Sequence, residues 1–170
     1  KEFISGLMDL GVKGPLSVLC DDKDGEPYLR LDRLTYLAGL IGLNEMVQYH
    51  TGMELHQSQD ALKFGLKVVA HMNLTCKRLS EHYGINMVLE ESPAESSGYR
   101  LAKLDMKYYP AQAIQVLKGD LERDEFYYTN SVHLNVEADI DYIERVQKQS
   151  LFHPLIEAGA ICHIWFGEHE

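Results

Sequence analysis

A single helical stripe limits what the rest of this chain can build. Leu62, Leu66, Val69, Cys76, Leu79 and Tyr83 recur at helical spacing, and Gly84 closes the run. That is the pattern of a long amphipathic helix with a glycine stop. It starts near Ser58, although Thr51-Gly52-Met53-Glu54, slightly earlier, also has the form of a capping box. A helix with one apolar face must lay that face on a second layer. Directly after Gly84, Ile85 to Leu89 reads as a short buried strand. Met72 and Cys76 are expected to fill the core between the two layers rather than to serve a redox or ligand role.

The other segments repeat the alternation. Phe3, Ile4, Leu7, Met8 and Leu10 have helical spacing ended by Gly11. Thr35 to Gly42 is apolar and small, and Leu43 to Tyr49 is helical in pattern. A second helix follows Leu89. Val132, Leu134 and Val136 alternate as a strand, Asp139 to Gln149 reads as a helix, and Ala160 to Phe166 as an apolar strand. Helices alternating with strands that are apolar throughout predict an α/β fold with a parallel layer, open or barrel-like.

Composition narrows the function. The 170 residues suffice for one domain with a core, and the formal charge of −10 opposes binding to long nucleic acids. The apolar runs are too short to cross a bilayer, and no secretory leader is apparent. Cys20, Cys76 and Cys162 are far apart and odd in number, as expected of reduced thiols in a cytoplasmic protein. They do not compose a structural zinc site. Asp21 to Pro27 is a polar turn, but Lys23 replaces an oxygen ligand and no closing Glu follows, so calcium is not expected.

Two stretches carry candidate chemistry. In Ser92-Pro93-Ala94-Glu95-Ser96-Ser97, Ser92 suits an N-cap, Pro93 the first helical position and Glu95 the reciprocal position of a capping box. Free amides at such a helix start suit a phosphate, with Ser96, Ser97 and Arg100 adding donors; Glu95 competes for the same amides. A well-built helix start with no ligand explains the pattern equally. In Tyr127-Tyr128-Thr129-Asn130-Ser131, hydroxyls and an amide could line a polar pocket, or simply form a turn before a strand. His153 and His163 are candidates for acid–base work only by residue type.

Four segments, Leu40 to Glu45, Ser92 to Ser96, Tyr127 to Ser131 and Glu157 to Ala160, resemble in order and spacing the blocks of the anaerobic (class III) ribonucleoside-triphosphate reductases. The resemblance runs from about Gly25 to the end. It implies that residues 1–170 are one partial domain, the later part of a ten-stranded α/β barrel, without the regulatory nucleotide domain and the glycyl-radical domain. It places Ser92, Pro93, Ala94, Glu95, Ser96 and Ser97 beside the substrate phosphates, and Tyr128, Thr129, Asn130 and Ser131 near the substrate pocket. It implies a ribonucleoside triphosphate substrate, a radical-SAM activating enzyme, a homodimeric cytoplasmic parent, and a glycyl radical and structural zinc outside this chain. The thiyl cysteine of the family belongs upstream, so Cys20 is not given that role, and no catalytic residue or metal ligand is assigned here. The fragment alone is expected to be inactive. Two other readings stay open: a glycyl-radical enzyme of the pyruvate formate-lyase type, and a non-catalytic α/β binding module.

Overall fold

A computed structural model describes residues 2–20, Gly25 and 28–164. In chain order the elements are α1 (Glu2–Met8), a 3-10 turn (Gly11–Lys13), α2 (Ser17–Cys20), β1 (Thr35–Gly39), α3 (Leu43–Thr51) and α4 (Gln59–Tyr83). Next come β2 (Asn86–Glu90), α5 (Glu95–Tyr108), α6 (Pro110–Ala113), β3 (Lys118–Asp120), β4 (Glu125–Tyr127), α7 (Tyr142–Ser150) and a second 3-10 turn (His153–Leu155). The Asp21 to Pro27 turn lies outside the described residues except for Gly25.

The expected layering is present. β1 and β2 pair in parallel, Thr35 against Asn86 through Gly39 against Glu90. α3 and α4 make the crossover between them, as a parallel pair requires. The helix α4 begins where the stripe predicts: Ser58 is its N-cap and accepts the Ala61 amide, and Gly84 ends it in the left-handed conformation. Thr51 is instead the last residue of α3, so the earlier capping-box pattern starts no helix.

Leu62, Val69 and Cys76 on α4 are buried with Val47 and Leu55 below and Leu89 of β2, closed over by Val132, Leu134, Phe152 and Ile156. Burial pushes the Cys76 thiol up, with the charge of Glu157 adding to the effect, so it is a core residue. Tyr83, at the end of the stripe, is exposed. Gly65 lets the helix approach closely, since a Cβ there would lie 2.6 Å from Leu55 Cδ2 and 3.5 Å from Phe152 Cζ.

Among the described residues the strands form two two-stranded sheets, parallel β1–β2 and antiparallel β3–β4, in agreement with the α/β character. Two expectations need correction. Val132 to Val136 is loop rather than strand. Its carbonyls at Leu134, Asn135 and Val136 are taken by the guanidinium of buried Arg145 at 3.3, 2.9 and 3.2 Å. Val132 and Leu134 are buried all the same, so the alternation reports burial and a side chain replaces the ladder. Residues 160–164 form no strand; a single parallel bridge joins Glu90 to Gly159. The end of that expected strand lies outside the described residues.

Replacing Arg145 by Met would leave the buried Leu134 carbonyl without its charged donor, at a cost of about 1.5–3 kcal/mol, while Asn135 O keeps the Ala138 amide. The expected outcome is faster amide hydrogen exchange confined to 131–136, with protection falling by about 2 kcal/mol or more. Unchanged exchange there would remove Arg145 from its role as the clasp of this loop.

Candidate functional site: a cleft beyond the parallel strands

The carboxyl ends of parallel strands leave backbone groups without ladder partners, and ligands of α/β proteins commonly bind there. Here the chain fills part of that space with its own loops. After β1, Leu40 O accepts the Ser131 amide at 3.0 Å, Ile41 bridges Asn130, and the Gly42 amide donates to Thr129 O at 2.8 Å. Glu45, in the first turn of α3, accepts the Thr129 amide at 3.2 Å and its hydroxyl at 2.9 Å, both at Oε2. Burial pushes the Glu45 carboxyl up, against the Thr129 bonds and the charge of Lys118.

From the other side α5 meets the same segment. The Tyr128 amide donates to Gly98 O at 3.4 Å and the Tyr128 hydroxyl to Asp105 Oδ2 at 2.9 Å. A Cβ on Gly98 would lie 2.7 Å from Tyr128 O, so only glycine allows this approach. Burial, together with the Asp105 bond, pushes the Tyr128 phenol well above its ordinary range. Ser131 has φ +46°, in the region non-glycine residues seldom adopt. The Asn130 Oδ1 and Ser131 Oγ atoms are buried without a hydrogen-bond partner in the protein.

A cleft of about 570 Å³ opens over this segment. Its walls include Tyr127, Tyr128, Thr129, Asn130, His133 and His163, with Tyr99 reaching it from α5. Tyr128 also borders a second cleft, of about 510 Å³, between α3 and α5–α6.

The sequence-predicted residues are therefore only partly together. Tyr128, Thr129 and Asn130 line the cleft, and Ser131 lies behind it. Ser92 to Ser97 precede and open α5 but are not in the cleft wall. Nor is the expected capping box formed: α5 starts at Glu95, its N-cap is Ala94, and no side chain caps it. The reason lies in β2. Its end stays extended because the Glu91 amide is held by Gly159 O at 3.0 Å, and the Ser92 hydroxyl donates to Glu90 Oε2 at 2.9 Å. His153 sits in the last 3-10 turn and not in this cleft.

Glu91 and His133, at the outer ends of the two candidate stretches, also converge here. Glu91 is buried at the end of β2; its Oε2 accepts the Ile161 amide at 3.0 Å and faces His133 Nε2 at 3.5 Å, and its Oε1 has no partner. Beside them Cys162 Sγ donates to Gln149 Oε1 at 2.9 Å, and burial pushes its thiol up. Only the fold brings Glu91 and His133 together. Among the described residues no cluster of three or more His, Cys, Asp or Glu could hold a metal ion, and no helix is long and apolar enough to cross a membrane.

The geometry defines an α/β protein with a ligand-sized cleft beyond its parallel strands, apolar over most of its wall and polar at Thr129, Asn130 and His133. A family model described as anaerobic ribonucleoside-triphosphate reductase matches residues 12–170. Similar chains include the anaerobic ribonucleoside-triphosphate reductases of Haemophilus influenzae, 28% identical over 77% of this chain and 18% of the relative, and of Enterobacteria phage T4, 30% identical over 59% and 15%. That of Salmonella typhimurium is 26% identical over 84% of this chain and 19% of its own length. The chain belongs to the anaerobic ribonucleoside-triphosphate reductase family. It spans about a fifth of the length of the curated relatives it matches.

Glu45 gives this site a pH signature. Its carboxyl titrates higher folded than at its ordinary 4.5, so the folded state holds the proton more tightly and is favoured at low pH. Relative to a Glu45→Gln variant, stability should fall as pH rises from 4.5 through the elevated value and then level off. Melting temperatures of the two proteins across that range test it, and a constant difference would show that the carboxyl is not held in this way.

Proposed function

We propose that this chain is the substrate-holding part of the catalytic barrel of an anaerobic ribonucleotide reductase. The parent would convert ribonucleoside triphosphates to deoxyribonucleotides. The observation that carries the reading is convergence. The Leu40 to Glu45, Tyr127 to Ser131 and Glu157 to Ala160 segments, far apart in sequence, all meet at the carboxyl ends of β1 and β2, and the Ser92 to Ser97 segment leads from there into α5.

In this reading the start of α5 receives the triphosphate. The helix has no side-chain cap, so its first-turn amides and dipole remain for an anion, and exposed Ser96 adds a hydroxyl. Tyr128, Thr129 and Asn130 border the space for the sugar, with Ser131 behind them. The unpartnered Asn130 Oδ1 and Ser131 Oγ favour a polar ligand, because a buried polar atom without a partner costs about 1–3 kcal/mol. Ser92 and Pro93 act one step removed, by setting the path from β2 into α5. The glycyl radical, which would start the radical chemistry, and the structural zinc are read as lying outside this chain, and a radical-SAM enzyme as the activator of the parent. The parent is read as a cytoplasmic homodimer.

Calorimetric titration of a ribonucleoside triphosphate into the full-length protein tests the assignment. Ser96→Glu puts a carboxylate where the phosphates would sit and should weaken binding at least a hundredfold, by like-charge repulsion in a partly dehydrated site. Binding unchanged by Ser96→Glu would sink the phosphate placement; no binding by the folded wild-type protein would sink the whole reading.

A further inference from the structure

The Glu91–His133 contact is not explained by packing alone. We propose that Glu91 and His133 are a positioning pair that leaves His133 Nδ1 as a hydrogen-bond acceptor for a sugar hydroxyl of the bound nucleotide. The inference rests on the substrate reading above and adds a residue and a role to it.

The argument begins with the proton on the ring. His133 Nε2 lies 3.1 Å from the Ile161 carbonyl oxygen and 3.5 Å from Glu91 Oε2. Both are acceptors, so Nε2 carries the hydrogen. A neutral imidazole has one N–H, and Nδ1 is then an acceptor. Glu91 is rigidly placed to enforce this: its side chain is 1% exposed, and Oε2 is anchored by the Ile161 amide at 3.0 Å. A carboxylate behind an imidazole fixes both tautomer and ring orientation, as in histidine sites generally. The Ile161 backbone grips both partners, giving its amide to Glu91 and its carbonyl to His133.

The ring also borders the cleft, beside Thr129, Asn130 and His163. The His163 ring meets it edge to face with centroids 5.1 Å apart, which limits its rotation. The Thr129 hydroxyl already donates to Glu45. A ligand sugar entering here brings hydroxyl donors, and a histidine of fixed tautomer supplies a directed acceptor for one of them.

Two variants of the full-length protein separate the roles of the two nitrogens. In His133→Gln the amide N–H can replace Nε2 toward Ile161 and Glu91, while the Nδ1 acceptor is lost. In His133→Asn the side-chain oxygen stands near the Nδ1 position. Affinities for a ribonucleoside triphosphate and for its 2′-deoxy and 3′-deoxy analogues are measured by calorimetry. Wild type should prefer the ribonucleotide over one analogue by roughly tenfold, the scale of one good hydrogen bond. His133→Gln should bring that ratio near one, and His133→Asn should keep most of it. A His133→Gln protein that discriminates like wild type would overturn the inference while leaving the substrate reading intact. Equal loss in both variants would reduce the ring to packing and overturn it as well. Absence of all nucleotide binding, in wild type too, would instead remove the reading beneath it.

Discussion

The carboxylate of Glu45 sits almost fully buried in the first turn of α3 and accepts both the amide and the hydroxyl of Thr129. A charge in that position is costly unless its lone pairs are occupied. Only Oε2 is occupied, by the segment that walls the cleft; Oε1 has no partner, and burial favours the protonated form. With Thr129 tied down, the neighbouring bonds from Gly42 to Thr129 and from Ser131 to Leu40 fall into register. Tyr128 is then turned toward Asp105, and Asn130 and Ser131 are left beneath the cleft with unspent polar atoms. Besides this anchor, the 128–131 segment is held by its backbone bonds to Leu40, Gly42 and Gly98.

A second buried polar knot holds the hairpin that delivers this segment. Lys118, in β3, is 5% exposed at its side chain and pairs with Glu54 at 2.9 Å, while also donating to Gln48 of α3. Asn44 donates to Glu54 at 2.8 Å and accepts the Leu55 amide at 3.0 Å. Burial raises the Glu54 carboxyl, but the bonds from Asn44 and Lys118 and the charge of Lys118 outweigh it and hold the group below its usual range. A buried ion pair contributes little net stability beyond its desolvation cost. Its effect is geometric: it ties β3, and with it the β3–β4 hairpin, to Glu54 and to Gln48 of α3.

What could be read from the sequence follows from the range of the forces involved. The stripe of α4, its Ser58 cap and its Gly84 stop are local, set by periodicity and by backbone groups a few residues away. The same holds for α7, whose Asp141 cap accepts the Glu144 amide. Ser92 failed as a cap although its local signal was good, because Gly159 holds the Glu91 amide and keeps the chain extended past the expected start. Val132 and Leu134 were correctly marked as buried and wrongly as a strand. The pattern records which side chains leave water and is blind to Arg145 replacing a neighbouring strand.

The site divides along the same line. Tyr128, Thr129, Asn130 and Ser131 could be singled out because polar groups crowd between aromatic and apolar neighbours in one short stretch. The sequence by itself determined the α/β alternation, the long helix and the family to which the chain belongs, since all three are written in local order and spacing. Only the tertiary structure decided that Glu45 holds Thr129, that Glu91 stands behind His133 and that Gly98 admits Tyr128. Each of those contacts joins residues remote in the chain. Hydrogen bonds and close packing act over a few ångströms, so no spacing along the sequence foretells which distant partner the fold brings within reach.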